Sequence, residues 1–232
     1  MSAPINKRLL ACASLVREGA VLGDIGTDHG YLPIYLLEKG IISRAVLSDI
    51  NEGPLAKAKA NIAAAGLSDK AELKLCDGAS ALCEMGITDY CIAGMGGELI
   101  AAIIAAAPHL HREGIRLILQ PMSKQEILRS YLWDNGFSIE RELYVTDEGK
   151  HYVCLMVIYV GGAAEYSSAD ALFGKEECFL SVSEPMLCYM RSKKSSLMRV
   201  IEGKRLGAQD SSEEQMLLSS LIQRLDKTNR KA

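Results

Sequence analysis

The chain has 232 residues, 49% of them hydrophobic and 24% charged, and a formal net charge of -3. That is enough apolar material for one substantial core and an appendage, and the charge balance excludes a protein that coats nucleic acid with its whole surface. No run of about 18 apolar residues is present, which excludes a membrane-spanning helix. The seven cysteines (Cys12, Cys76, Cys83, Cys91, Cys154, Cys178 and Cys188) are scattered, with no CxxC pair and no Cys/His cluster at zinc spacing. Reduced thiols, no metal and a cytoplasmic location are the expectation.

The N-terminal stretch MSAPINKRLLACASLV places basic residues before an apolar run, but Ser14 interrupts the run and Arg17 and Glu18 follow it. This fits an amphipathic helix over 4–18, opened by Pro4, rather than a signal peptide. Ile5, Leu9, Leu10, Ala13 and Val16 fall on one side; Lys7, Arg8 and Arg17 fall elsewhere. The apolar run GAVLGDI reads as a buried strand, followed by the turn Gly26-Thr27-Asp28-His29-Gly30 and a helix from Tyr31 to Leu37. A second strand, RAVLSDI, ends in Asp49 and Ile50; an alanine-rich helix from Glu52 to Ala65 is closed by Gly66. AELKL is a third strand, running into Asp77-Gly78, and TDYCIA a fourth, leading into Gly94-Met95-Gly96-Gly97. A helix from Glu98 to Ala107 stops at Pro108. IRLILQP is a fifth strand ending at Gln120-Pro121, and residues 123–135 form the next helix. FSIERELYV and YVCLMVIYV are separated by Thr146-Asp147-Glu148-Gly149-Lys150, a hairpin signal.

Five strand–helix alternations closed by a hairpin predict an α/β fold. The expected form is a Rossmann-like, seven-stranded, mostly parallel sheet with a terminal antiparallel hairpin, the plan of class I S-adenosylmethionine (SAM)-dependent methyltransferases. Another Rossmann-like domain is the alternative. The expected organisation is a SAM-binding domain over 1–160, a small polar linker over 161–174 and a helical hairpin over 175–232. Arg191, Lys193, Lys194, Arg199, Lys204 and Arg205 crowd the first helix of that hairpin.

Ligands of open α/β sheets bind beyond the carboxyl ends of the strands. Four such ends carry a signature here: Asp24-x-Gly26, Asp49, Asp77-Gly78 and Gly94-Met95-Gly96. The first turn is a strand–glycine–helix nest with two carboxylates, Asp24 and Asp28, and no Lys or Arg. It would repel phosphate but accept a net-positive cofactor such as SAM. An acid after the second strand suits ribose hydroxyls, and one after the third suits an adenine amino group. Each aspartate taken singly also reads as an N-cap or turn residue. A nicotinamide dehydrogenase would show GxGxxG in the first turn, which Gly26-Thr27-Asp28-His29-Gly30 does not match. Asp28 or His29 would line the mouth of the site, although His29 also reads as an ordinary helix-start residue. The Gly94 loop lacks the polar-Pro-Pro-aromatic signature of many amino-group methyltransferases, so a flat base would meet bare backbone, or the glycines serve a tight turn alone. Gln120 offers an amide to a base edge, or merely ends its strand.

DIGTDHGYLPIYL, AGMGGELI, LILQP and DEGKHYVCLMV, in that order, resemble the bacterial TrmK family of SAM-dependent tRNA (adenine(22)-N1)-methyltransferases. The likeness runs from about residue 5 to 160, and the helical C-terminal region is similar to that family's coiled-coil appendage. The resemblance implies methyl transfer from SAM to N1 of an adenosine in tRNA. It places Asp24, Gly26, Asp28, Gly30, Tyr31, Asp49, Ile50, Asp77, Gly78, Gly94, Met95 and Gly96 around the cofactor. Asp28 and His29 are the catalytic candidates, Asp28 as the carboxylate facing positive charge on the methylated adenine. Lys7, Arg8, Arg191, Lys193, Lys194 and Arg199 are the candidates for tRNA phosphates, although each singly also reads as part of a solvated helix face; Gln120 and Pro121 are the candidates for the base. The competing expectations are a methyltransferase for a non-RNA substrate and a SAM- or tRNA-binding module without catalysis.

Overall fold

The computed structural model describes residues 5–178 and 182–229. Seven strands form one sheet in the order β3-β2-β1-β4-β5-β7-β6. They are β1 (Ala20–Ile25), β2 (Ile42–Asp49), β3 (Ala71–Leu75), β4 (Asp89–Gly96), β5 (Arg116–Ser123), β6 (Phe137–Asp147) and β7 (Lys150–Tyr159). The first five run parallel, and β7 is antiparallel to both β5 and β6. Asp147 pairs with Lys150, so the hairpin turns on Glu148 and Gly149, both at positive φ, in the manner of a tight two-residue turn.

Helices cover both faces, as a parallel sheet buried on each side requires. On one face lie α1 (Lys7–Ala13), α2 (Tyr31–Glu38) and α3 (Glu52–Ala64), packing Leu32, Leu36, Ala58 and Ile62 against Leu22 and Leu47. On the other lie α4 (Gly97–Ala105) and α5 (Gln125–Asp134), with Ile100, Ile104, Leu128 and Trp133 against Ile92, Leu119 and Leu155. The chain order reverses between β1 and β4, so the carboxyl ends of β1, β2 and β4 diverge there and leave a crevice.

The N-terminal helix is shorter than the apolar periodicity of 4–18 suggests, and Pro4 lies outside the described residues. Asn6 caps it by accepting from the Leu9 N–H at 2.9 Å, and Ser14 ends it. Arg17 lies beyond the helix and acts at the amino-terminal ends of β4 and β5. Its Nε donates to Asp89 Oδ1 at 2.7 Å and its Nη2 to the carbonyls of Thr88 and Gly114. Asp89 is fully buried, and this pairing satisfies its charge.

The polar stretch 161–174 also differs from expectation, because it contains the helix α6 (Ser168–Phe173). A capping box between Ser167 and Asp170 starts it, and Phe173 is fully buried. Two long helices follow, α7 (Glu184–Leu206) and α8 (Ser212–Asn229), and they share a third core of Phe173, Met186, Met190, Leu221 and Leu225. A fully buried ion pair lies where α6 meets the sheet. Arg129 of α5 donates from Nε and Nη2 to the two carboxylate oxygens of Glu142 on β6, both at 2.8 Å. Arg129 Nη1 donates to the Ala171 carbonyl at 3.1 Å, and the Tyr144 hydroxyl donates to Glu142 Oε2 at 2.5 Å. Every oxygen and nitrogen of the pair is thus used where water is absent. Removing either partner leaves a buried charge without compensation, so Arg129→Ala or Glu142→Ala should lower unfolding stability by ~3–5 kcal/mol in urea titration. A loss below about 1 kcal/mol would mean that water reaches the pair.

Candidate functional site

The crevice at the strand-order reversal opens into a cavity of about 600 Å³, within the range of small-molecule sites. Its wall is built from the ends of β1, β2, β3 and β4 and from α1. Asp24, Gly26, Asp28, Tyr31, Asp49, Ile50, Asp77, Gly78, Gly94 and Met95 all line it, as do His29 and Arg8. Asp49 and Asp77, from neighbouring strand ends, therefore face one space. Gly30 and Gly96 do not line it: Gly30 lets α2 approach Leu47 and Ala58, and Gly96 caps α4 beside Ser123. Thr27, Ser48, Asn51 and Leu99 line the cavity without having stood out as site residues in the sequence, and so does Asn6 from the helix cap.

The glycine turn owes its shape to β2. The N–H groups of Gly26 and Thr27 both donate to the Ser48 carbonyl, at 2.9 and 3.0 Å. Gly26 sits at φ +71°, and a Cβ there would collide with the Met95 methyl. Two of the turn's N–H groups are thereby spent on the sheet, so the turn offers less to an anion than a bare nest would. Its remaining character is acidic. The Asp24 carboxyl is buried and accepts from the Thr27 hydroxyl at 2.6 Å. Burial pushes its pKa up to about 7 against that hydrogen bond. Asp49 is also buried and takes the Asn51 N–H at 2.9 Å. Asp28 and Asp77 are exposed at the rim. Among the described residues, Arg8 is the one Lys or Arg in the lining. A cavity with four carboxyl groups and one guanidinium suits a cationic ligand.

Asp28 holds φ +51°, a left-handed conformation that costs a non-glycine residue of order 1 kcal/mol. Its Oδ1 lies 3.6 Å from His29 Nε2, and the His29 ring stacks on Tyr31 with centroids 5.2 Å apart. The turn thus projects a carboxylate into the mouth, backed by a stacked imidazole.

The residues expected to meet the substrate divide into groups. Gln120 is fully buried, and its Oε1 accepts from Arg8 Nη1 at 2.6 Å and from the Gly94 N–H at 3.1 Å. Pro121 is buried on the same strand end. On α7, Lys193 is occupied by α5, donating to Gln125 Oε1 at 2.9 Å, and Arg191 pairs with Glu184 at 2.9 Å. Lys204 and Arg205 pair with Glu214 and Glu202. Lys7, Lys194 and Arg199 take part in no carboxylate pair among the described residues.

A family model for the methyltransferase domain matches residues 5–155. The chain is 34% identical over 169 residues to the tRNA (adenine(22)-N(1))-methyltransferase of Bacillus subtilis (strain 168), covering 73% of this chain and 68% of that one. Streptococcus pneumoniae Sp1610 in complex with S-adenosyl-L-methionine has the same fold, with a TM-score of 0.82 and 34% identity over 94% of this chain and 100% of that one. The B. subtilis m1A22 tRNA methyltransferase TrmK aligns with a TM-score of 0.77 and 28% identity over 98% of each chain. Sheet order and acidic crevice together are those of a Rossmann-like methyltransferase. Within that class, the chain belongs to the tRNA (adenine(22)-N1)-methyltransferase family, TrmK.

The raised pKa of Asp24 has a definite sign in solution. Its carboxyl is neutral in the folded protein at pH values where the unfolded chain, with a carboxyl pKa near 4, is already ionised. The stability it contributes is therefore complete below about pH 4 and is lost as pH rises through about 7. Asp24→Asn should flatten the fall in Tm of the ligand-free protein between pH 5 and 8, measured by scanning calorimetry. An unchanged slope would show that Asp24 does not titrate in this window.

Proposed function

We propose that this protein transfers the methyl group of SAM to N1 of an adenosine in tRNA, at position 22, and does so in the cytoplasm. The observation that carries the reading is the acidic cavity at the sheet reversal. It joins a buried carboxyl, a second acid at the end of β2 and a third after β3 in a chain of this family. Asp49 at the end of β2 would take the ribose hydroxyls and Asp77-Gly78 the adenine amino edge, with Ile50 against the base. Asp24 and the Gly26 turn would hold the methionine end, where its ammonium group meets a carboxyl that ionises to receive it. The sulfonium supplies an electrophilic methyl group when the cofactor is bound.

Adenine N1 carries an in-plane lone pair, so the protein has no proton to remove before attack. Its work is alignment and charge. Asp28 places a carboxylate in the mouth of the cavity, where it stabilises the positive charge that methylation puts on the adenine; His29 supports it from behind. N1 lies on the Watson–Crick edge, so the base enters unpaired or flipped. The helical region 175–232 is the tRNA-binding appendage in this reading. Lys7, Lys194 and Arg199, which have no carboxylate partner among the described residues, would meet phosphates in preference to the cations already paired.

Incubation of the protein with labelled SAM and an unmodified tRNA transcript should place one methyl group on the N1 atom of adenosine 22, read by mass spectrometry of nuclease fragments. Methylation elsewhere or none would overturn the proposal. Asp28→Ala should lower kcat about 100-fold while calorimetric SAM affinity changes by less than about threefold. Turnover at the wild-type rate in that variant would remove Asp28 from the mechanism.

A further inference from the structure

We propose that Arg8 and Gln120 form a positioning pair that sets the backbone of the Gly94 loop for methyl transfer, and that Arg8 is not a phosphate ligand. The proposal rests on the methyltransferase reading and concerns how its target loop is held. Between β4 and β5 the register slips from Ala93–Gln120 to Met95–Pro121, so Gly94 is bulged out of the ladder. A bulge leaves one N–H without its strand partner, and here Gln120 Oε1 accepts it at 3.1 Å. The same oxygen accepts from Arg8 Nη1 at 2.6 Å, while Gln120 Nε2 donates to the Pro121 carbonyl at 3.1 Å. Gln120 is fully buried, so its side chain has no water to substitute for these partners.

Arg8 comes from α1, 112 residues from Gln120 in sequence, and its guanidinium lies beside the bulge. A Cβ on Gly94 would be 3.5 Å from Arg8 Nη1 and 4.0 Å from Nη2, which is van der Waals contact. The φ of +81° at Gly94 is what calls for glycine, since a Cβ there would rest against the guanidinium without displacing it. Arg8, Gly94 and Met95 all line the cavity. Helix α1 is thereby coupled through one amide oxygen to the loop that a flat base would face. Among the described residues Arg8 carries the one guanidinium of the acidic cavity, and it is spent on the amide that holds the cavity's own wall.

The pair and a phosphate contact predict different kinetics. With the pair, Arg8→Met and Gln120→Leu each lower kcat at saturating SAM and tRNA by about tenfold or more, because the loop is misplaced. The double variant is then no slower than the worse single one, since both remove the same link. SAM and tRNA dissociation constants stay within about threefold of wild type. Hydrogen exchange of the Gly94 amide, read by NMR without cofactor, accelerates in both single variants. Gln120→Glu keeps the acceptor oxygen and should retain most of kcat and of the amide protection, which covers the case in which Gln120→Leu fails to fold. A raised tRNA KM with intact kcat in Arg8→Met, together with a salt slope shallower by about one, would make Arg8 a phosphate ligand and overturn the pair. Selective loss of SAM affinity, multiplicative losses in the double variant, or unchanged Gly94 exchange would overturn it too. A wild-type protein that leaves tRNA unmethylated refutes the proposed function instead, and the exchange measurement still decides the pair.

Discussion

A carboxyl group kept from water at the end of the first strand is the constraint around which the site is arranged. Asp24 stands where the sheet reverses its order, beneath a turn whose two leading N–H groups are already taken by the Ser48 carbonyl. The turn cannot relax toward Asp24 to offer those donors, so one hydroxyl, that of Thr27, is left to solvate the acid. Burial without full compensation raises its proton affinity and leaves a vacancy for positive charge. The acids at the ends of β2 and β3 extend the same field along the cavity. The phosphates of a dinucleotide would meet repulsion at the first turn, whereas a cation with hydroxyl and amino edges meets acceptors along the whole cavity.

The second constraint is mechanical. The buried Arg129–Glu142 pair joins α5, β6 and the end of α6 in one hydrogen-bonded unit, and α7 is further tied to α5 through Lys193 and Gln125. Helix α5 starts directly after β5, whose end carries Gln120. The appendage is thus connected to the wall of the cavity by a short series of packed elements, with no free hinge in the described stretch between β7 and α6 where Ala164 and Tyr166 pack against the sheet core. Packing of this kind couples the appendage to the strand that ends at the crevice. That suits recognition of a large folded substrate, in which the reacting atom and the gripped backbone are far apart.

Much of this architecture was legible because its signals are local. Alternating strand and helix patterns, the acids closing three strands and the Glu148-Gly149 turn are contiguous in the chain, and each matches an element within a few residues. The capping box Ser167-x-x-Asp170 was equally local, but the small polar residues around it mask a helix of six residues. What escaped depends on partners distant in sequence. Val16 continues the apolar period of α1, yet the backbone leaves the helix so that Arg17 can reach Asp89. Arg191 and Lys204 looked free in a basic cluster, but Glu184 and Glu214 neutralise them, one two turns back and the other across the hairpin. That Gln120 and Arg8 meet each other is likewise visible in no local pattern.

The same distinction explains why the loop after β4 can do without a polar side chain. In a site that grips an amino nitrogen, the protein must hold a group whose lone pair is conjugated into the ring and must pull it toward attack. Adenine N1 needs no such assistance, since its lone pair already points out of the ring edge. Backbone placed close to the plane of the base is then sufficient, provided that it does not move. Glycines allow the approach but add conformational freedom, which would defeat the purpose if left unopposed. The bulge at Gly94 is flanked by ladder pairs at Ala93 and Met95 and is held by a buried amide and a half-buried guanidinium drawn from elsewhere in the chain. Closeness comes from the absence of side chains in the loop, and rigidity comes from side chains outside it.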